Sequence, residues 1–344
     1  LKELLRYTFQ TSNEITLPIS APGSAGMETC FVNLVEPGDK VIVCCNGVFG
    51  KRMVENVTRC GGEAIIVEDP WGRAVDPDKV EQALKQNPDA KILAFVHAET
   101  STGALSDAKI LAEIAHEYNC LTIVDTVTSL AGVPLKVDEW KLDAVYSGTQ
   151  KCLSCIPGLS PVTFNTSAME VIRKRKTKVQ SWFLDLNLML GYWDGGGKRA
   201  YHHTAPINPL YALHEALVIL HEEGIEKAWA RHRRHHEALK AGLESMGIEL
   251  VVPESERLPQ LNAVRIPPET DDASVRKSLL DEYNLEIGAG LGDSAGKLWR
   301  IGLMGYSANR RNVLYCLGAL EAVLGKLDQN TPRSKAIESA MSTY

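Results

Sequence analysis

No apolar run in this 344-residue chain approaches the 18 or more residues that a membrane-crossing helix needs, so the sequence offers no helical anchor. There is no internal repeat and no low-complexity tract, which removes solenoids and fibrous assemblies. No excess of positive charge exists either: 37 Lys and Arg face 43 Asp and Glu, a formal charge of −6 that argues against a general nucleic-acid or membrane surface. Two local basic runs, Arg173–Lys176 and Arg231–His236, fall in helical patterning and are expected to form solvated helix faces. The eight cysteines lie mostly in apolar runs of a chain too large to need disulfides, which implies free thiols in a reducing compartment. Cys152 and Cys155 form a C-x-x-C, but no second pair or suitably spaced His follows, so no metal site is expected. No initiator Met is present. The helical pattern is already under way at Leu1, so upstream sequence is expected to have been removed, and Ser342-Thr343-Tyr344 is not a peroxisomal signal. The expected location is the cytoplasm, with peroxisome and mitochondrion left open by the missing N-terminus.

What is present, from residue 15 to about 165, is an alternation of strand-length apolar runs with amphipathic stretches. Strands are predicted at 40–45, 63–67, 91–97, 121–125, 144–147 and 159–164. Helices are predicted at 54–60, 80–86 and 110–118, the second capped by Asp76 with Pro77 in its first turn. This is the pattern of an α/β fold, a mostly parallel sheet with helices on both faces. Beyond Pro209 the texture becomes a helical tract from Leu210 to about Met246, broken near Gly224. A strand at 248–252, a helix at 272–282, a strand at 298–303 and a helix at 309–326 complete a smaller α+β unit. The expected division is a large domain over 1–223, a small C-terminal domain over 224–330, and a polar tail over 331–344 that is loose or docked on the surface.

Ligands of such sheets bind at the carboxyl ends of the strands. Lys151 stands in Tyr146-Ser147-Gly148-Thr149-Gln150-Lys151, and Asp125, 26 positions upstream, closes the run Cys120–Val124. An amine and a carboxylate at neighbouring strand ends are what pyridoxal phosphate chemistry asks for: the amine forms the Schiff base, and the acid pairs with the pyridine nitrogen. Taken alone, the Asp could equally cap a helix and the Lys be solvated. Ser20–Glu28 is a small-residue loop opening a helix, whose free N–H groups and dipole suit a phosphate, although such loops also merely cap helices. Gly288-Ala289-Gly290-Leu291-Gly292 leads back into a strand, so a dinucleotide fingerprint fails on context.

In order along the chain, Gly23-Ser24-Ala25-Gly26-Met27-Glu28, Asn46-Gly47-Val48-Phe49-Gly50, His97-Ala98-Glu99-Thr100-Ser101-Thr102-Gly103, Val124-Asp125, Ser147–Lys151, Tyr201-His202-His203-Thr204 and Trp299-Arg300-Ile301-Gly302 resemble the class V, fold-type I pyridoxal-phosphate aminotransferases. The likeness is nearest to the alanine:glyoxylate and serine:glyoxylate (serine:pyruvate) group and runs from about residue 7 to 326. It implies a fold-type I architecture with a seven-stranded sheet, pyridoxal 5′-phosphate as cofactor, and a homodimer with shared sites. Lys151 would bind the cofactor and then shuttle the α-proton; Asp125 would pair with the ring nitrogen; Thr100 would bond the ring hydroxyl. Phe49 and Val127 would cover the two ring faces, although Phe49 could be plain core. Gly23, Ser24 and Gln150 would hold the phosphate, and Tyr201 and Thr204 would reach the phosphate of the neighbouring subunit. His202 and His203 are expected to be structural or interfacial.

Arg300 is the expected substrate contact, its fork gripping the carboxylate that an amino acid and a 2-oxo acid share, with a structural salt bridge as the alternative. The expected reaction is ping-pong transfer from L-alanine or L-serine to glyoxylate, without nucleic acid or membrane partners. Rivals are a phosphonate-amine aminotransferase, a cysteine desulfurase or related lyase, and a non-catalytic dimeric cofactor-binding protein. The desulfurase pattern has His before the Schiff-base Lys and a ring-stacking His, where this chain has Gln150 and Phe49. Family members also carry an N-terminal segment ahead of residue 1 that borders the substrate.

Overall fold

The computed structural model describes residues 1–193, 200–327 and 335–344. Its strands are β1 (Ile15–Ile19), β2 (Lys40–Cys45), β3 (Glu63–Glu68), β4 (Ala90–Val96), β5 (Ala98–Glu99), β6 (Ala104–Leu105), β7 (Leu121–Asp125), β8 (Ala144–Tyr146), β9 (Ser160–Phe164), β10 (Leu261–Arg265), β11 (Gly288–Ala289) and β12 (Leu298–Gly302). Its α-helices are α1 (Lys2–Phe9), α2 (Gly23–Leu34), α3 (Val48–Arg59), α4 (Pro77–Gln86), α5 (Ala108–Glu117), α6 (Thr166–Arg173), α7 (Leu186–Trp193), α8 (Ile207–Glu223), α9 (Ile225–Ser245), α10 (Asp272–Tyr283), α11 (Arg310–Leu327) and α12 (Ala336–Met341).

Seven strands form the main sheet in the order β1-β9-β8-β7-β4-β2-β3. Neighbours from β8 to β3 pair in parallel, and β9 runs antiparallel to both β1 and β8. Because successive side chains point to opposite faces, an all-apolar strand feeds two cores at once. In β2, Ile42 and Cys44 join the layer under α1, α4, α5 and α8, while Val41, Val43 and Cys45 join the layer under α2, α3, α6 and α7. Local chemistry sets several helix starts. Asp76 accepts the Asp78 N–H at 3.0 Å ahead of Pro77, Asp107 accepts from Ile110 at 3.0 Å, and Asn165 accepts from Ala168 at 2.8 Å.

A three-stranded antiparallel sheet, β10-β12-β11, packs with α9–α12 around a third core. Gly224, at φ +89°, breaks the expected long tract into α8 and α9, a conformation that costs glycine little. Helix α9 serves two cores, with Ile225 and Ala228 in the first and Ala238, Leu239 and Leu243 in the third.

Three expectations need correction. The stretch 248–252 is not a strand; only Leu250 makes an isolated bridge, to Val264. The strand in that register is β10, whose signal is masked by buried Asn262, held by the His236 ring at 2.6 Å. His232, His235 and His236 are buried rather than solvated, and Arg231 pairs with Glu223. Of the two courses expected for the tail, its end takes the docked one, with Ala336 and Ala340 fully buried against the third core. Helix α3 begins six residues before the predicted start.

Candidate active site

The early start of α3 has a tertiary cause. Val48, Phe49 and Gly50 are poor helix formers, but the Glu99 carboxylate is buried at the helix N-terminus. Its Oε2 accepts the Phe49 N–H at 3.1 Å, its Oε1 accepts the Ser101 N–H at 3.0 Å and hydroxyl at 2.6 Å, and Ser101 Oγ accepts the Val48 N–H at 3.0 Å. An anion there answers the unpaired N–H groups and the helix dipole. Gly47 permits the approach, because a Cβ on it would fall 2.4 Å from Glu99. Burial raises the Glu99 pKa, and its hydrogen bonds oppose that rise. One carboxylate thereby fixes Phe49 on one side and the Thr100–Ser101 turn on the other.

Asp125, at the carboxyl end of β7, is 2% exposed. Its Oδ1 accepts the Val127 N–H at 2.8 Å and its Oδ2 accepts the Tyr146 hydroxyl at 2.7 Å. Burial pushes its pKa up to about 7 despite both bonds. Lys151 follows β8 and is half-buried; burial first, and the nearby Arg300 charge second, lower its pKa. A less protonated amine is what a nucleophile or general base requires.

These groups meet in one cavity of about 250 Å³, shared by Gly23, Ser24, Phe49, Thr100, Asp125, Val127, Gln150 and Lys151. Eight of the predicted residues are therefore neighbours, although they come from separate turns at the carboxyl edge of the sheet. Sequence reasoning missed Met27, Arg52, Thr128 and Tyr146 on the same walls. Arg52 lies against the Phe49 ring, 4.8 Å from its centroid, a contact that the spacing Phe49 to Arg52 on one helix face could have suggested. Lys151 and Gln150 also border a second, more open cavity of about 420 Å³ with Ser154, Met304 and Tyr306. The amine stands between the two spaces.

Arg300 reaches this edge from β12. Its Nε donates to the Ala289 carbonyl at 2.7 Å and its Nη1 to the Thr100 carbonyl at 3.1 Å, and it makes no ion pair among the described residues. The expected alternative, a structural salt bridge, is therefore not what holds it.

Tyr201 and Thr204 are not brought to this cavity. They are exposed and bond each other, hydroxyl to hydroxyl, at 2.9 Å. Between them, His202 stacks on Trp182 at 4.4 Å, its Nδ1 lies 2.7 Å from His203 Nδ1, and His203 Nε2 lies 2.7 Å from Ser20 Oγ.

The family model described as "Aminotransferase class-V" matches residues 3–308, and the chain belongs to that family. Its cofactor is pyridoxal 5′-phosphate and its fold is fold-type I. Among solved structures, the chain is similar to an alanine–glyoxylate aminotransferase from Nostoc sp., 45% identical with a TM-score of 0.91 over 94% of this chain and 85% of that one. It is also similar to the ureidoglycine–glyoxylate aminotransferase of Bacillus subtilis, 39% identical with a TM-score of 0.96 over 100% of this chain and 88% of that one. The alanine–glyoxylate aminotransferase of Callithrix jacchus is 38% identical over 97% of this chain and 80% of its own length.

The residues present fit the cofactor. An amine, a buried carboxylate, a half-buried aromatic ring and a helix N-terminus converge on one cavity. That N-terminus is the start of α2 at Gly23, with Ser24 next to it on the same wall.

Proposed function

We propose that the protein transfers the amino group of a small amino acid, L-alanine or L-serine, to glyoxylate in two half-reactions, the first product leaving before the acceptor binds. The observation that carries this is the convergence of Lys151 and Asp125 on one cavity. Glyoxylate as acceptor is supported by relatives whose names share it. Pyridoxal phosphate, when bound, supplies a carbonyl carbon for amines and a ring that withdraws electrons from the substrate α-carbon. Lys151 would hold it through Nζ and, once displaced by substrate, move the proton at the α-carbon. Asp125 would face the ring nitrogen, Thr100 the ring hydroxyl, Phe49 and Val127 the ring faces, and Gly23, Ser24 and Gln150 the phosphate. Arg300 would take the carboxylate that donor and acceptor share.

The working unit is proposed to be a homodimer, in which the exposed Tyr201 and Thr204 hydroxyls serve the partner's phosphate site, and its proposed location is the cytoplasm. A second reading keeps the acceptor and changes the donor to (S)-ureidoglycine, favoured by likeness to the Bacillus subtilis enzyme over nearly the whole chain.

The test is a visible spectrum of the loaded protein during successive additions. L-alanine or L-serine should remove the cofactor's band and glyoxylate should restore it, faster than pyruvate or 2-oxoglutarate. Response to (S)-ureidoglycine alone would move the donor to the second reading. Sulfide release from L-cysteine would favour a desulfurase, and a band that no donor changes would leave a binding protein.

A further inference from the structure

Within the active-site reading above, the charge on Asp125 matters because a carboxylate and a carboxylic acid would leave the ring nitrogen in different protonation states. The side chain that bears on this is Tyr146. It is opposite Asp125 in the parallel register of β8 and β7, so both side chains leave the sheet on the same face. Tyr146 is fully buried. Helix α2 covers it, closely enough that a Cβ on Gly26 would lie 3.3 Å from Tyr146 Cβ. Its hydroxyl has one hydrogen-bond partner among the described residues, Asp125 Oδ2 at 2.7 Å. A buried phenol whose single O–H is directed at a carboxylate oxygen stabilises the charged form of that acid and contributes little to its neutral form.

The other titratable groups facing Asp125 are few. Glu99, from β5, opposes its ionisation; Lys151, after β8, favours it. Cys30, on α2, feels the Asp125 charge but is itself held neutral mainly by burial. Tyr146 is the side-chain hydrogen-bond donor in the set.

We propose that Tyr146 is a positioning residue that holds Asp125 as a carboxylate and so keeps the proton on the ring nitrogen of the cofactor. Loss of the phenolic donor would shift the balance toward one proton moving from the nitrogen to an Asp125 oxygen, neutralising both; no other reagent is needed. The inference rests on the assignment of Asp125 to that nitrogen.

The test uses the cofactor-free protein and two ligands, pyridoxal phosphate and its carbocyclic analogue with C–H in place of the ring nitrogen. The wild-type protein should prefer pyridoxal phosphate. Tyr146→Phe should reduce that preference about tenfold, the scale of one hydrogen bond to a charged group. The infrared titration of the Asp125 carboxyl, identified by its loss in Asp125→Asn, should move upward by about one pH unit, the matching change. An unchanged preference together with an unchanged titration would overturn the proposal. If Tyr146→Phe does not fold, 3-fluorotyrosine at position 146 keeps the ring and strengthens the donor. It should raise the preference and lower the titration midpoint, and no movement or the reverse movement would overturn the proposal. A wild-type protein without preference, or one whose preference survives Asp125→Asn, would instead remove Asp125 from the ring nitrogen and take the inference down with that assignment.

Discussion

Around Lys151 the polar groups are buried and secured by other parts of the chain; the Tyr201 and Thr204 hydroxyls are exposed and bond each other. Asp125 is held by Tyr146 and Val127, and Glu99 by Phe49 and Ser101, before any ligand is present. Tyr201 and Thr204 share one hydrogen bond and leave their other capacity to solvent. The first arrangement is preorganised: the desolvation and ordering that binding requires were met during folding. The second has the form of a surface that acquires its partner from outside the chain.

The sharpest way to break this contrast is at its centre. Lys151→Ala should abolish multiple turnover, and near-normal rates in a steady-state assay would remove Lys151 from the chemistry. Arg300→Lys keeps the charge but loses the fork, and should weaken transamination by about 1–3 kcal/mol in kcat/KM; equal values for every 2-oxo acid would refute the clamp.

The electrostatic half of the contrast can be read without turnover. Asp125 ionises near 7 in the folded chain against about 3.9 when unfolded. The folded state thus binds more protons between those values, and cofactor-free stability from this group is present at low pH and lost as pH rises toward 7. Asp125→Asn should flatten that part of the stability profile in denaturant titrations; an identical profile would contradict the raised value. The smallest effect is expected outside the cavity. Tyr201→Phe should change the stability of the cofactor-free chain by under about 0.5 kcal/mol yet weaken cofactor retention in the proposed dimer. A loss of stability without change in retention would make the segment structural.

Much of the main sheet was legible because its strands are mostly apolar and separated by punctuating turns, as at Lys40–Cys45 and Leu121–Asp125, where expectation and structure coincide. The amine, the acid and the phosphate loop were legible because their chemistry needs particular residue types. Less visible was whatever depends on contacts between remote positions. The first turn of α3 is stabilised by Glu99 and Ser101, some fifty residues on, against its own propensity. Tyr146 reads in sequence as one more apolar strand residue, and only the register of β8 on β7 brings its hydroxyl to Asp125. The histidines of α9 look like a wet surface until Asn262 and the Gly305 N–H provide their partners.

Thr100 lines the cavity while its carbonyl receives Arg300 Nη1. A guanidinium has five N–H donors; the Thr100 and Ala289 carbonyls take one each, so 5 − 2 = 3 remain, on Nη1 and Nη2. A two-pronged grip on a carboxylate needs only two of these. An arriving acid would therefore not have to unseat the arginine, and the same backbone unit that borders the cofactor space would act as the fixed stop against which the substrate is registered.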